Sequence, residues 1–169
     1  MAVLLTHVLV PYIILTVASW QFNWLTDRWI VIGMAGAAIP DLIKIEIIVD
    51  AGVVETLLGV PFKYAPISSL GGALLIAGAI TVFFERQRRQ IFSFLSFGAF
   101  SSLVVDGLRV FADGRSGFWL YPFSWWRPLT PSLYITSDVR VLVTAILISA
   151  VVFALDRWKH ADNLFEKLT

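Results

Sequence analysis

The sequence contains no cysteine, which excludes disulfides, thiolate metal sites and a cysteine nucleophile together. Histidine is nearly as scarce, with 2 among 169 residues, so a site needing several imidazoles has little to draw on. Charged residues make up 15%, against roughly 25% in soluble domains. The formal net charge is +1, a balance that gives no support to a nucleic-acid partner.

Apolar residues fill the space these leave. Hydrophobic content is 58% and mean hydropathy is +0.80. Together these predict an all-α, polytopic membrane helix bundle forming a single integral membrane domain over residues 1–169. The length accommodates about five transmembrane helices at about 20 residues each. Membrane lipids are then the obligatory partners.

The first span is expected from Ala2 to Trp20, with Thr6, His7, Pro11 and Thr16 as its polar or breaking positions. It has no charged start and no small-residue cleavage pattern, and so reads as a retained span. A connection rich in aromatics leads to a second span from Trp29, where Gly33, Gly36 and Ala37 permit close helix approach. Pro40 and Asp41 interrupt it. The following DLIKIEIIVD carries Asp41, Lys44, Glu46 and Asp50 among apolar residues, and reads as the wetter end of the span or as an interfacial helix. The third span is expected over Ser68–Phe84, the fourth over Ile91–Ala112 and the fifth over Val139–Leu155. Residues 113–138, rich in Trp, Tyr, Phe and Pro, read as an aromatic cap on the membrane surface. The tail from Asp156 reads as a short amphipathic C-terminal helix.

Glu85–Gln90, ERQRRQ, is the one dense basic cluster in a short loop and points to the cytoplasm. Alternation then puts the N-terminus and the loops at 51–66 and 113–138 outside, and the tail inside. Whatever the direction, five spans bring His7, Asp41, Ser68 and Asp106 to one side of the bilayer. His160 in the tail falls on the other.

Asp106 is the most informative of these. Ser102 and Gly98 precede it at steps of four, forming a small, polar stripe on a helix that is otherwise apolar. A carboxylate within a span is disfavoured by a few kcal/mol and implies a partner or a task. Asp106 reads equally as one half of an ion pair, with Arg109 at i+3 or Lys44 across helices, and as a functional group. Asp41 reads as a metal ligand or as a cap on the helix after Pro40. His7 reads first as a hydrogen-bonded histidine near the interface and second as a ligand or general base.

The opening Thr6-His7, the Pro40-Asp41 break, the Ser69-Leu70 start of the third span, Asp106 late in the fourth and the following Pro122-Phe123-Ser124 resemble the YdjM-like family. That family comprises membrane-bound metal-dependent hydrolases, also described as LexA-binding inner-membrane-associated proteins. The resemblance spans nearly the whole chain. It implies a prokaryotic cell membrane, and a divalent metal held by His7, Asp41 and Asp106. Three family histidine positions are occupied here by Lys63, Ser68 and Ser102. One imidazole is little for a zinc site, whereas Mg²⁺ or Ca²⁺ could use Asp41, Asp106 and Glu46.

Three functions are weighed. The first is a structural or assembly subunit of a membrane complex, acting with a membrane-protein partner or as a homo-oligomer, in which the metal site has degenerated. The second is hydrolysis of a lipid-linked or membrane-embedded ester or phosphoester. There His7, Asp41 and Asp106 would form the metal centre, with Lys44 or Arg109 stabilising negative charge. The third is transport or proton relay.

Overall fold

The computed structural model describes residues 2–135 and 138–166, with side chains described for 4–135 and 138–159. The side chain of His160 lies outside the described residues. The regular structure of the described residues is helical apart from two isolated bridges, Arg109 with Tyr134 and Arg115 with Leu129, with residues 108–135 otherwise irregular. The order is α1 (Ala2–Ser19), α2 (Asp27–Ala37), a 3-10 segment (Pro40–Ile47), α3 (Ala51–Leu58), a second 3-10 segment (Ala65–Ser68), α4 (Leu70–Val82), α5 (Arg88–Gly107) and α6 (Val139–Glu166).

Local chemistry accounts for the boundaries. The end of α2 tightens, with Ala38 N–H donating to Ala35 O and Ile39 N–H to Gly36 O. Pro40, which has no N–H to give, then opens the 3-10 segment. Asp50 caps α3 by accepting from Gly52 N at 2.8 Å. Ser69 caps α4, accepting from Gly72 N at 3.1 Å while donating to Pro66 O at 2.6 Å.

The central pair is α2 with α5, which run parallel: Trp29 stacks on Phe94 with ring centroids 5.2 Å apart, and Gly33 meets Gly98 one turn further on. At that crossing the backbones touch. A Cβ placed on Gly98 would lie 1.8 Å from Gly33 O, and one on Gly36 would lie 2.1 Å from Leu95 O. Helix α1 runs against this pair, with Leu15 on Gly33 and His7 reaching the segment after α2. Helix α6 lies along α1 in the same direction, since Trp20 Nε1 donates to Asp156 Oδ1 at 2.9 Å. Helix α4 returns along α5, its start tied by Leu70 N to Trp119 O at 3.0 Å. Leu15, Trp29, Ile30, Ile91, Phe94 and Leu95 form the heart of the core.

Three boundaries differ from expectation. Two helices are long and apolar enough to cross a membrane, Arg88–Gly107 and Val139–Lys159, whereas Leu4–Ser19 and Leu70–Val82 are shorter. The second expected span is cut to the 11 residues of α2, a rise of about 16 Å against a hydrocarbon core of about 30 Å. Apolar residues in the 3-10 segment and at the capped ends raised hydropathy there without lengthening a helix. The fourth span ends at Gly107, not Ala112, because Leu108 and Arg109 close the helix with 3-10 bonds. The tail is not a separate amphipathic helix: with no Gly or Pro after Val139, α6 continues unbroken to Glu166.

Candidate functional site

His7 sits on the second turn of α1, Asp41 is the second residue of the first 3-10 segment, and Asp106 is the penultimate residue of α5. The fold brings all three together. His7 Nδ1 lies 3.4 Å from Asp41 Oδ2, and Nε2 lies 3.5 Å from Asp106 Oδ1. The histidine side chain is 0% exposed, Asp41 10% and Asp106 24%. Each carboxylate also has a cation three residues along. Lys44 Nζ is 2.7 Å from Asp41 Oδ1, and an Arg109 guanidinium nitrogen is 3.4 Å from Asp106 Oδ1. The result is a linear chain: Lys44, Asp41, His7, Asp106, Arg109.

The structure shows which cation meets which carboxylate. Asp106 takes Arg109, and Lys44 goes to Asp41. Asp41 does not cap the 3-10 segment, whose N-cap position, Ile39, makes no side-chain cap hydrogen bond; its oxygens face Lys44 and His7. Glu46 is exposed and makes no ion pair among the described residues, as is the case for Lys63. Ser68 lines a cavity of about 80 Å³ with Asp106, Arg109, Ser116 and Trp119. Ser102 is completely buried, and its hydroxyl has no hydrogen-bond partner among the described residues.

A metal held jointly by His7, Asp41 and Asp106 does not fit this arrangement. The two imidazole nitrogens face different carboxylates, so the aspartates stand on opposite sides of the ring and do not converge with it on one point. Their outer faces are taken by Lys44 and Arg109. Among the described residues no group of three or more His, Cys, Asp and Glu side chains is disposed to hold a metal. The arrangement can instead share protons. At 3.4 and 3.5 Å the two histidine contacts are longer than hydrogen bonds. A neutral imidazole donates from one nitrogen only, so engaging both carboxylates takes a second proton, on the ring or on a carboxyl group.

Tyr134 belongs to this neighbourhood and was not marked by the sequence. Its hydroxyl donates to Val105 O at 2.7 Å, joining the aromatic connection to the end of α5. Burial, with the nearby Asp106 carboxylate adding, pushes its phenol up to about 12, so it remains a donor throughout the ordinary pH range. A tyrosine 28 positions beyond Asp106 in an irregular connection carries no periodic signal. Arg127 stitches the same connection, 2.6 Å from Asp113 and donating to Ser116 O at 2.9 Å.

No family model matches the chain, no curated protein matches it, and no solved structure matches its fold.

Proposed function

We propose that the chain is a multi-pass protein of a prokaryotic cell membrane, built on a YdjM-like hydrolase scaffold and serving as a structural or assembly subunit instead of an enzyme. The observation that carries this reading is the self-neutralising charge chain. Both carboxylates that the resemblance would give to a metal are engaged by the chain's own cations, Lys44 and Arg109, and share one imidazole between them. Such a chain ties α1, the segment after α2, and α5 together at one end of the bundle. At about 80 Å³ the cavity at Asp106 has room for two or three waters.

Alternating helix directions support passage through the membrane by α1, α2, α4, α5 and α6, with the 3-10 segment extending α2. The exposed apolar face of α6, including Val143, Leu147 and Val151, suits lipid or a partner helix.

The reading is tested with divalent ions and the full chain in detergent. The parent protein should hold no stoichiometric metal and should show no rise in melting temperature with millimolar Mg²⁺, Ca²⁺ or Zn²⁺. The Lys44→Met/Arg109→Met variant should melt lower than the parent and still show no such rise, because its two aspartates remain on opposite sides of the imidazole. Metal retained by the parent and lost on Asp106→Asn would reverse the order and put the hydrolase first.

A further inference from the structure

At the end of the bundle away from His7, the last turn of α1, the connection to α2 and the start of α5 enclose a groove of about 710 Å³. That volume lies within the roughly 300–1,000 Å³ of small-molecule clefts. Its floor is Leu15, Leu25 and Phe94, all buried. Phe22 and Trp24, both exposed, form a wall, with the Trp24 ring centroid 6.1 Å from Phe94 and 6.3 Å from Phe22. Because α1 ends here and α5 begins here, the polar residues Arg89, Gln90 and Ser93 stand at the mouth. Leu15 and Phe97 lie one to two turns further in.

The charge at this mouth has one sign. Arg89 is exposed, and among the described residues its guanidinium meets no carboxylate or other acceptor; its backbone carbonyl alone is engaged, by the Ser93 hydroxyl at 2.9 Å. No carboxylate lines the groove among the described residues. Helix α5 opens at the same place behind Gln87, which makes no side-chain cap hydrogen bond, so the N–H groups of its first turn add to the positive potential. The neighbouring Arg88 is already used, donating to Phe84 O and Val82 O at the end of α4. A slot that is apolar along its length and cationic at one end has the charge pattern that receives an anionic amphiphile.

We propose that this groove binds an anionic phospholipid, its phosphate at Arg89 and Gln90 and one acyl chain laid over Leu15 along Phe94 and Phe97. Guanidinium and phosphate make charge-assisted hydrogen bonds, and the Gln90 amide is a further donor. A zwitterionic headgroup is disfavoured, since its ammonium would stand beside Arg89 with no carboxylate in the groove to receive it. The inference rests on the membrane reading given above.

The test incorporates the full chain into vesicles of phosphatidylglycerol, phosphatidylethanolamine and phosphatidylcholine in equal parts. The protein is re-purified in mild detergent and its retained lipid counted. Phosphatidylglycerol should exceed phosphatidylcholine by about ten-fold, the scale of one charge-assisted hydrogen bond. Arg89→Gln, an exposed change that leaves the core untouched, should erase the preference. Arg86→Gln removes the same charge from the basic loop outside the groove and should preserve it. Ser93→Trp, which fills the slot beside Phe94 and Phe97, should bring phosphatidylglycerol down to the level of phosphatidylcholine. Equal retention of the three lipids, a preference unchanged in Arg89→Gln or Ser93→Trp, or one lost equally in Arg86→Gln overturns the inference while leaving membrane embedding intact. A lipid-free dimer in detergent would give the groove to a second copy of the chain and overturn it as well. Recovery of the protein in water without detergent would overturn the membrane reading itself, and this inference with it.

Discussion

His7 is completely buried between two aspartates, and removing it leaves both facing a void that no other side chain can serve. Breaking a buried ionic contact by deleting one partner commonly costs about 3–5 kcal/mol, more than the intact contact contributes, because a desolvated charge is stranded. His7→Leu should therefore lower stability by about 3 kcal/mol, read as a fall in the thermal midpoint in detergent. Lys44 is 47% exposed, and Lys44→Met should cost no more than about 1 kcal/mol. The triple variant His7→Leu/Asp41→Asn/Asp106→Asn should be less destabilised than the sum of its single changes, since the groups act as one network. Additive losses would mean the five residues do not act as a chain. At this scale the sequence was partly legible. The i+3 spacing of Arg109 after Asp106 was visible, and so was the convergence of His7, Asp41 and Asp106, whereas Lys44 was expected across helices at Asp106 and meets Asp41. Which cation served which carboxylate was not visible, because it depends on the turn geometry of a 3-10 segment. Tyr134 and the unmet hydroxyl of Ser102 were equally hidden, since both follow from contacts between distant segments.

Among the elements, the α2–α5 crossing positions everything else. Gly33, Gly36 and Ala37 were recognisable as a close-approach face, and the Gly98–Ser102–Asp106 stripe as an inward one, but their meeting could not be read from either helix alone. The contacts rank the glycines. A Cβ on Gly98 or Gly36 meets backbone of the opposing helix, whereas on Gly33 it meets the Leu15 side-chain end at 2.4 Å. Backbone cannot rotate away and a leucine methyl can. Gly98→Ala and Gly36→Ala should each cost about 2–3 kcal/mol, with Gly33→Ala distinctly less. Melting of the three variants checks the order, and a Gly33→Ala loss equal to that of Gly98→Ala would contradict this account of the crossing. Spreading α2 from α5 also moves Asp41 away from Asp106, so the same substitutions should loosen the ionic chain. The start of α4 and the Pro40 break were legible because Ser and Pro act locally. The shortness of α2 was not, because hydropathy counts apolar residues without regard to helix or turn.

For the whole molecule the open quantity is how many helices cross, and the absence of cysteine makes it measurable, since one introduced thiol is the sole target in the chain. If only the two longest apolar helices, Arg88–Gly107 and Val139–Lys159, crossed, everything before α5 would lie on one face. If α1, α2, α4, α5 and α6 all cross, α2 separates the turn after α1 from the segment around α3. Asn23 and Glu55, both exposed, mark those two places. Under five crossings Asn23→Cys and Glu55→Cys should therefore label from opposite faces of sealed vesicles, and under two crossings from the same face. Phe123, 94% exposed in the aromatic connection, should share a face with Glu55. Glu85, in the basic loop, should share one with Asn23 and be cytoplasmic by its charge. Labelling of Asn23→Cys and Glu55→Cys from one face would leave α2 as a helix that enters and does not cross, and would place the His7 cluster at the membrane surface. Opposite labelling, with 55 and 123 together outside, would put the His7 cluster in the outer half of the bilayer, the geometry that the multi-pass reading requires.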